Sequence, residues 1–399
     1  MGKIFDKLVT QRVFFHLLRN NLLSEHQYGF TPGRSAPDAI LQFKSWIATA
    51  RSRNHHSVII SLDVKSAFSR VWWPLVLHNL KVKDCPKNLF KVISSFLEDR
   101  KISFSYGDSS FLHGYDIGCL QGSNSGPLLW LLVVDEALNI TFDPNTKVLA
   151  YADDIYLFVE ASGKHTIKTQ VQEALFLLDR WSKKAKVTFA HEKMQLIPFG
   201  KKGYQKHPPY CSFNGKSIKL NRQMKILGVI LDDRLNGLSH INYLRDKISK
   251  ITMRLTIAKT RKGLSGRVLK ALYKRALERT IVYAAPVWWT GTVNQCNKVT
   301  TIQRQILLAV TGAFRTTSTV ALHTISGIEP IDLVLEMEST ICRAKHGEPI
   351  PSLLRRDLQF INLETYTNHW HHPGSITPPI WSTVNTPAAL SIYTDGSKR

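Results

Sequence analysis

The chain has 399 residues, 43% hydrophobic and 21% charged, so it is long enough for a sizeable core and does not have a disordered composition. Its 53 Lys and Arg against 30 Asp and Glu give a formal net charge of +23, which favours a polyanionic partner, although a generally basic globular protein would show the same balance. The five cysteines form no Cys-x-x-Cys pair, which excludes the usual zinc ribbon, and the most apolar run, residues 128–134, is too short to cross a membrane.

The N-terminal part of the chain predicts two helices and a strand. Apolar residues at helical spacing predict the first helix: Ile4, Leu8, Phe15, Leu18 and Leu22. Residues 27–33 are rich in turn formers, and a second amphipathic helix follows over 39–47. Residues 58–63 are a short apolar run that ends in an acid, which is typical of a buried strand.

The middle of the chain predicts a loop, a hairpin and two strands. Residues 122–127 form a Gly- and Ser-rich loop that leads into a helix. Two apolar runs flank Asp153-Asp154, and two residues between such runs predict a β-hairpin with both acids at its tip. An amphipathic helix is predicted over 171–181, and apolar strands over 194–199 and 226–231.

Beyond about residue 240, helical periodicity dominates, and basic residues crowd the polar faces between Lys247 and Arg275. These faces fit the phosphates of a nucleic acid, although solvated helix faces would have the same pattern. Residues 346–390 are rich in Pro, Thr, Ser and His and predict a linker. Residues 391–399 begin a further apolar strand.

Three acids stand out because they lie at the ends of predicted strands: Asp63, Asp153 and Asp154. Adjacent carboxylates repel each other, which raises the pKa of one of them unless a cation is bound. Mg²⁺ prefers oxygen ligands, and two such ions can clamp the attacking and leaving oxygens of a phosphoryl transfer. The placement therefore indicates a metal-dependent site, while Asp-Asp as simple turn chemistry is the alternative.

Five motifs in the chain resemble those of reverse transcriptases, and they occur in the family's order. Residues 27–35, with Gln-Tyr-Gly-Phe and Gly-Arg-Ser, resemble the fingers motif of non-LTR retrotransposons. Residues 62–68, Leu-Asp-Val-Lys-Ser-Ala-Phe, resemble motif A, and residues 118–130, which include Cys-Leu-Gln-Gly, resemble motif B. Residues 151–154, Tyr-Ala-Asp-Asp, resemble motif C, and residues 225–232 look like the hairpin that grips the primer.

The resemblance covers about residues 3 to 345 and is closest to R1-like and Jockey-like elements of arthropods. It implies an α+β fold, a right-hand polymerase with partial fingers, an antiparallel-sheet palm and a helical thumb. Fingers and palm would span 1–235 and the thumb 236–345, because residues 281–288 resemble the thumb of the same elements. The linker over 346–390 would lead to the truncated start of an RNase H domain at 391–399.

The implied activity is RNA-directed DNA polymerisation, in which a primer 3′-end is extended with dNTPs. The implied cofactor is Mg²⁺, as two ions, with Mn²⁺ as an alternative. The implied partners are an RNA template, a DNA primer and dNTPs, with no membrane. In this family an endonuclease and a complete RNase H belong to the same polyprotein, and the nucleus and cytoplasm are the expected locations.

The resemblance also implies roles for the residues of the metal site. Asp63 and Asp153 would bind both metal ions, Asp154 would support the site, and the backbone carbonyl of Val64 would be a further ligand. Lys193 lies where the family's motif D lysine is expected and would protonate the departing pyrophosphate. An ordinary surface lysine is the alternative for that position.

Further roles concern the nucleotide. Phe68 would be a steric gate whose ring clashes with a 2′-hydroxyl, with an ordinary core aromatic as the alternative. Gln121 and Gly122 would lie beside the incoming nucleotide and the template base, where a small residue permits close approach. Asp395 would occupy the first catalytic position of the RNase H segment, from which we expect no RNase H activity.

The chain departs from the family's pattern at Ser69, Leu120 and Met194, where an acid, a proline and a threonine are usual. The fingers strand expected ahead of residue 2 is not in the sequence. These departures favour an alternative, a catalytically dead relic that still binds nucleic acid. A nuclease is disfavoured by Phe68 and the motif B loop. An RNA-dependent RNA polymerase is disfavoured by Phe68 and by Ala152, where Gly is usual in those enzymes.

Overall fold

The computed structural model describes residues 2–120, 122–200 and 209–346. Gln121, Asp395, the RNase H segment and all but the first residue of the predicted linker lie outside the described residues. Among the helices of the described part, none combines the length and the apolar character that crossing a membrane requires.

The first part of the chain contains both helices and strands. Their bounds are α1 Gly2–Arg19, α2 Ala36–Ser52, β1 His56–Asp63, α3 Trp73–Val82, α4 Lys87–Leu97, β2 Lys101–Tyr106, β3 Ser109–Gly114 and α5 Ser125–Leu138. A capping box starts α2, because the Ser35 side chain accepts from the Asp38 N–H while the Asp38 carboxylate accepts from the Ser35 N–H. A short 3₁₀ turn, Ala67–Arg70, follows β1.

Helix α1 forms where the apolar spacing predicts it, and only some of its apolar residues are buried. Val13 and Leu17 are fully buried, whereas Ile4 and Leu8 keep more than half of their surface exposed. The buried face is the one that packs on α4 and α5. The predicted helix is therefore confirmed, and because it has apolar residues on several sides, the neighbouring elements decide which face is buried.

The middle of the chain supplies most of the strands. Their bounds, with the helix between them, are β4 Thr146–Tyr151, β5 Asp154–Ala161, α6 Lys164–Lys184, β6 Gln195–Phe199, β7 Ser212–Phe213, β8 Lys216–Ser217, β9 Lys219–Leu220, β10 Gln223–Ile226 and β11 Val229–Asp232. The single strand predicted over 226–231 is wrong. These residues belong to the β10–β11 hairpin, because Leu227 and Gly228 both have positive φ and reverse the chain.

A five-stranded sheet with the order β4-β5-β1-β6-β9 forms the centre of the molecule. Every neighbouring pair is antiparallel except β6 and β9. Alternate residues of β1 face two different cores. Val58 and Ile60 pack with α1, α3, α5 and α6, whereas Ile59 packs with α2 and the C-terminal helices. Because both faces are covered, the middles of β1 and β5 are continuous runs of buried, mainly apolar residues, 58–60 and 155–159.

Every element described after β11 is helical, as the periodicity predicts. The bounds are α7 Leu238–Lys262, α8 Gly266–Leu272, a π-helical turn Tyr273–Leu277, α9 Glu278–Val282, α10 Ala285–Trp288, α11 Val293–Thr311, α12 Thr319–Ser326 and α13 Ile331–Lys345. These helices pack against α2 and the sheet through a shared core. The β10–β11 hairpin lies between the sheet and these helices, in contact with β6 and α7.

Candidate active site

The turn between β4 and β5 carries two of the three predicted acids. Tyr151 pairs with Asp154, so the loop consists of Ala152 and Asp153. The prediction that both acids lie at the tip is therefore wrong by one residue. Asp153 is exposed in the loop, whereas Asp154 is the first residue of β5 and is partly buried. The two adjacent acids thus have different surroundings.

The strand register brings the third acid to the same place. Asp63, the last residue of β1, is the direct cross-strand partner of Asp154. Burial raises the pKa of Asp154 to about 6, and the charges of Asp153 and Asp63 act in the same direction. The three carboxylates are therefore close enough to interact electrostatically, as the sequence predicts.

Lys193 lies against this group, as its predicted role requires. Its ammonium Nζ is 3.0 Å from the Asp63 carboxylate Oδ2. The hydrogen bond to Asp63 raises the pKa of Lys193, which keeps the lysine protonated. A second pair lies beside it, between Lys65 and Glu192, with 3.0 Å between Nζ and Oε1.

The carboxylates do not form a closed metal cage. Among the residues that the structure describes, no three or more Asp, Glu, His or Cys side chains form a group that could hold a metal ion. Asp63 pairs with Lys193 instead, and Asp153 points into solvent-exposed space. The donor chemistry nevertheless fits a hard divalent cation, because Asp63 and Asp154 offer carboxylate oxygens whose mutual repulsion a cation would relieve. Such ions typically take only one or two protein carboxylates and complete their shell with water and phosphates.

Val64 is held so that its carbonyl is available on the side of the acids. Lys65 N–H donates to the Thr188 carbonyl, and Ala190 N–H donates to the Asp63 carbonyl. These two bonds flank Val64, which forms an isolated bridge with Phe189. Backbone groups alternate sides along an extended chain, so the Val64 carbonyl faces away from this bridge and toward the side of β5.

Hydrogen bonds connect motif B to the residues that follow β1. Cys119 N–H donates to the Phe68 carbonyl at 2.8 Å, and the Trp73 indole N–H donates to the Gly118 carbonyl at 2.7 Å. Gly118 has φ +88, and a Cβ there would lie 2.9 Å from the Ser69 carbonyl oxygen. Only glycine permits this close approach without strain. The predicted sugar gate and the predicted nucleotide loop are therefore neighbours.

Phe68 is partly buried in an aromatic group. Its ring centroid is 5.9 Å from that of Phe30 in a T-shaped arrangement and 6.4 Å from that of Trp130. Gly122, which lies just beyond motif B's cysteine, is exposed with φ +83. Gln121 lies outside the described residues, so its predicted contact stays a prediction.

A family model agrees with these observations. The model described as "Reverse transcriptase (RNA-dependent DNA polymerase)" matches residues 1–231, more than half of the chain. The chain belongs to the reverse transcriptase family. With its antiparallel sheet, paired strand-end acids and helical C-terminal region, it has the α+β right-hand polymerase fold that the resemblance implies.

The relatives of this reverse transcriptase include two classes of non-LTR element. It is 26% identical to the putative 115 kDa protein of the type-1 retrotransposable element R1DM of Drosophila melanogaster, over 88% of this chain and 34% of the relative. It is also 26% identical to the RNA-directed DNA polymerase of the mobile element jockey of the same species, over 78% of this chain and 35% of that relative. The chain thus spans about a third of the length of these relatives.

Among solved structures, apo telomerase from Candida tropicalis superposes with a TM-score of 0.46 and 12% identity. The match covers 85% of this chain and 54% of that one.

The sequence did not predict how two residues near the acids of this reverse transcriptase contact the loop between β4 and β5. Trp130 of α5 is fully buried, and its indole N–H donates to the Ala152 carbonyl at 2.7 Å. Gly29 lies on the other side of the same turn, where a Cβ would be 1.9 Å from the Ala152 nitrogen. Gly29 belongs to the fingers motif, so its motif signalled importance but not its contact. Nothing in the sequence signals the Trp130 bond.

Proposed function

We propose that this chain is the polymerase part of a non-LTR retrotransposon protein, which extends a primer 3′-end with dNTPs on an RNA template. The observation that carries the proposal is the pairing of Asp63 with Asp154 across β1 and β5, with Asp153 in the adjoining loop. Three carboxylates at one end of an antiparallel sheet suit a two-metal phosphoryl transfer. Family membership supplies the reaction class.

Reverse transcriptases in general use divalent metal ions, and we propose Mg²⁺ for this chain. Asp63, Asp153, Asp154 and the Val64 carbonyl would hold it. When bound, the ions would activate the primer hydroxyl and neutralise phosphate charge. Burial and the charges of Asp153 and Asp63 raise the pKa of Asp154, and a bound cation would favour the ionised carboxylate that this role needs.

Lys193 would act on the leaving pyrophosphate. It is protonated, exposed and held at the edge of the site by Asp63, so its Nζ can reach a phosphate oxygen without moving through the core. From there it would donate a proton as the phosphoanhydride bond breaks. The ion pair keeps it in place between turnovers.

Phe68 would exclude ribonucleotides, and Gly122 would let the nucleotide approach the backbone. Phe68 is suited to this because Phe30 and Trp130 restrict its ring from two sides, which favours a fixed position. A fixed ring can discriminate against one additional hydroxyl by a clash. Gln121 would contact the same nucleotide.

The helical region from 236 to 345 would act as a thumb that holds the template–primer duplex through its phosphates. Its basic side chains on α7 and the segment after it support this role, together with the net charge of +23. The residues before 236 would form the partial fingers and the palm.

Primer extension on an RNA template with dNTPs and Mg²⁺ tests the proposal. Asp153→Asn should lower incorporation at least ~100-fold, because it removes a ligand charge in the transition state. Asp108→Asn is a matched control, since Asp108 lies in the exposed turn of the β2–β3 hairpin. Extension that survives Asp153→Asn would refute the proposed site. Duplex binding without extension by the unmodified chain would instead support a nucleic-acid-binding relic.

A further inference from the structure

The loop of residues 122–124 ends where helix α5 begins, and its last residues cap that helix. The Ser123 hydroxyl accepts from the Gly126 N–H at 3.0 Å, as an N-cap side chain does, and donates to the Leu120 carbonyl at 2.9 Å. Asn124 follows with helical φ and ψ of −74° and −33°. Its N–H therefore has no acceptor within α5 and needs one from another segment.

Helix α1 supplies that acceptor. The Asp6 carboxylate oxygen Oδ2 accepts from the Asn124 N–H at 2.7 Å, and the Asn124 side-chain amide donates to the Lys3 carbonyl at 3.4 Å. Asn is a favoured capping residue at helix starts, yet this side chain bonds to α1 and makes no cap for α5. Both bonds therefore join the loop to α1, where Asp6 lies 118 positions earlier in the sequence.

Charge and packing both stabilise this contact. A carboxylate is favoured at the N-terminus of a helix, because the helix dipole and the unpaired N–H groups present positive charge there. Helix α1 also packs on α5, since Val13 and Leu17 share a core with Leu128 and Leu129 of its first turns. The packing of the two helices therefore holds Asp6 against the start of α5.

The other end of this segment is held by the residues that follow β1. Cys119 N–H donates to the Phe68 carbonyl at 2.8 Å. Between this bond and the one to Asp6, Leu120 and Gly122 are exposed, and an added Cβ at Gly122 would meet no described atom within 4 Å. The segment thus has two fixed ends, with open space beside Gly122.

We propose that Asp6 is a positioning residue that fixes the end of the loop which contacts the incoming nucleotide. The inference rests on the proposed function, in which Gly122 lies beside that nucleotide. With its end held by Asp6, the loop keeps one conformation before the dNTP arrives, so less conformational entropy is lost on binding. A carboxylate that only capped α5 would stabilise the fold without changing the affinity for dNTPs.

Hydrogen exchange measured by mass spectrometry tests the contact without requiring activity. Asp6→Ala removes the acceptor, so peptides that cover residues 122–126 should exchange ~10-fold faster than in the unmodified chain. Asp38→Ala is the matched control, because the Asp38 carboxylate accepts from the Ser35 N–H at 2.8 Å, the same kind of bond at the start of α2. Unchanged exchange over 122–126 in Asp6→Ala, or equally fast exchange there in both variants, would overturn the proposal.

Steady-state primer extension tests the consequence for the nucleotide. Asp6→Ala should raise the KM for dNTPs ~10-fold and lower kcat less than ~2-fold, whereas Asp38→Ala should leave that KM unchanged. Asp6→Asn keeps a side-chain oxygen that can accept from the Asn124 N–H, so its KM should stay within ~3-fold of that of the unmodified chain.

A loss confined to kcat in Asp6→Ala, or an equal rise of KM in Asp38→Ala, would overturn the positioning role. If the unmodified chain does not extend primers, the proposed function fails, and the role of Asp6 toward the nucleotide fails with it. The exchange measurement then still decides whether Asp6 holds the loop.

Discussion

Among the described glycines, Gly29 is the one at which an added Cβ would make the shortest backbone contact. Any Cβ there would lie 1.9 Å from the Ala152 nitrogen and 2.7 Å from the Tyr151 carbonyl carbon, both backbone atoms that cannot turn aside. Backbone hydrogen bonds fix the two segments, since Tyr28 N–H donates to the Ala150 carbonyl and Ala150 N–H donates to the His26 carbonyl. A side chain at position 29 would therefore push directly on the loop that carries Asp153.

Gly29→Ala should displace that loop and lower primer extension at least ~100-fold, because small misplacements of reacting groups have large effects on rate. The overpacking should also destabilise the fold by about 1–3 kcal/mol in urea titrations. Gly114→Ala is the control, because Gly114 has open space around it and lies in the exposed strand β3. Equal activity of the two variants would contradict the assigned contact.

Trp130 contributes one specific hydrogen bond to the same loop. Ala152 has φ +58, which is unusual for a residue with a side chain, and the Trp130 indole N–H holds its carbonyl. Trp130→Phe should reduce extension ~10-fold or more because the carbonyl loses its donor while most of the ring remains.

Trp181→Phe separates this effect from lost packing volume. Trp181 is also buried, but its indole nitrogen has no hydrogen-bond partner among the described residues. Both variants should lose about 1–3 kcal/mol of stability in denaturant titrations. Only Trp130→Phe should lose more primer-extension activity than its loss of stability explains. Parallel losses of activity would show that the indole bond is irrelevant.

At the scale of elements, a buried ion pair joins α5 to the segments around α1 and α3. Asp135 is fully buried, and its Oδ2 is 2.6 Å from the Lys83 Nζ. The carboxylate also accepts from the Ser24 N–H at 2.7 Å, and Lys83 donates to the Leu22 carbonyl. The pair therefore fixes the loop after α1 to the helix that leads from motif B.

Lys83→Met should destabilise the protein by about 3 kcal/mol, because it leaves the Asp135 carboxylate buried without its cation. Lys184→Met is the matched control, since Lys184 is exposed and pairs with Glu136, the neighbour of Asp135. Lys184→Met should lower the free energy of unfolding by less than about 1 kcal/mol. The midpoints of urea denaturation measure the stability of both variants. Similar losses of stability would show that the burial of Asp135 does not make its ion pair more important.

At the scale of the whole molecule, a buried histidine makes stability depend on pH. His240 is 1% exposed, and its Nδ1 accepts from the Ile230 N–H at 3.2 Å. Burial lowers the pKa of His240 to about 4, and the charges of Lys225 and Lys247 add to the effect. Because the folded pKa lies below the unfolded value of about 6.5, His240 favours folding fully above pH 6.5 and loses this contribution as pH falls toward 4.

His240→Asn cannot titrate, so its urea midpoint should fall less than that of the unmodified chain between pH 6.5 and 4. Asp154 acts in the opposite direction, because its raised pKa makes folding more favourable as pH falls below about 6. Both chains retain Asp154, so the difference between them isolates His240. His165→Asn, at an exposed histidine, is the control and should follow the unmodified chain. The prediction would be refuted if the urea midpoints of all three proteins fell equally between pH 6.5 and 4.

The sequence by itself determined the strongly periodic elements and the family of the protein. The stripe predicted for α6 is buried as expected, because most apolar residues of 171–181 lie on one face, whereas Phe176 lies outside it and is exposed. Asp63 and the Tyr-Ala-Asp-Asp motif indicate the family because they occur with the other motifs in the family's order. The family match over residues 1–231 confirms the family that these motifs indicate.

Only the tertiary structure decided the contacts between segments that are distant in sequence. The one-residue shift that places Asp154 in β5 depends on its pairing with Asp63, and the buried face of α1 depends on α4 and α5. The contacts of Gly29 and Trp130 with the loop between β4 and β5 join residues from different elements. Local propensity contains no information about such contacts, because packing selects one among several faces and registers that the same pattern permits.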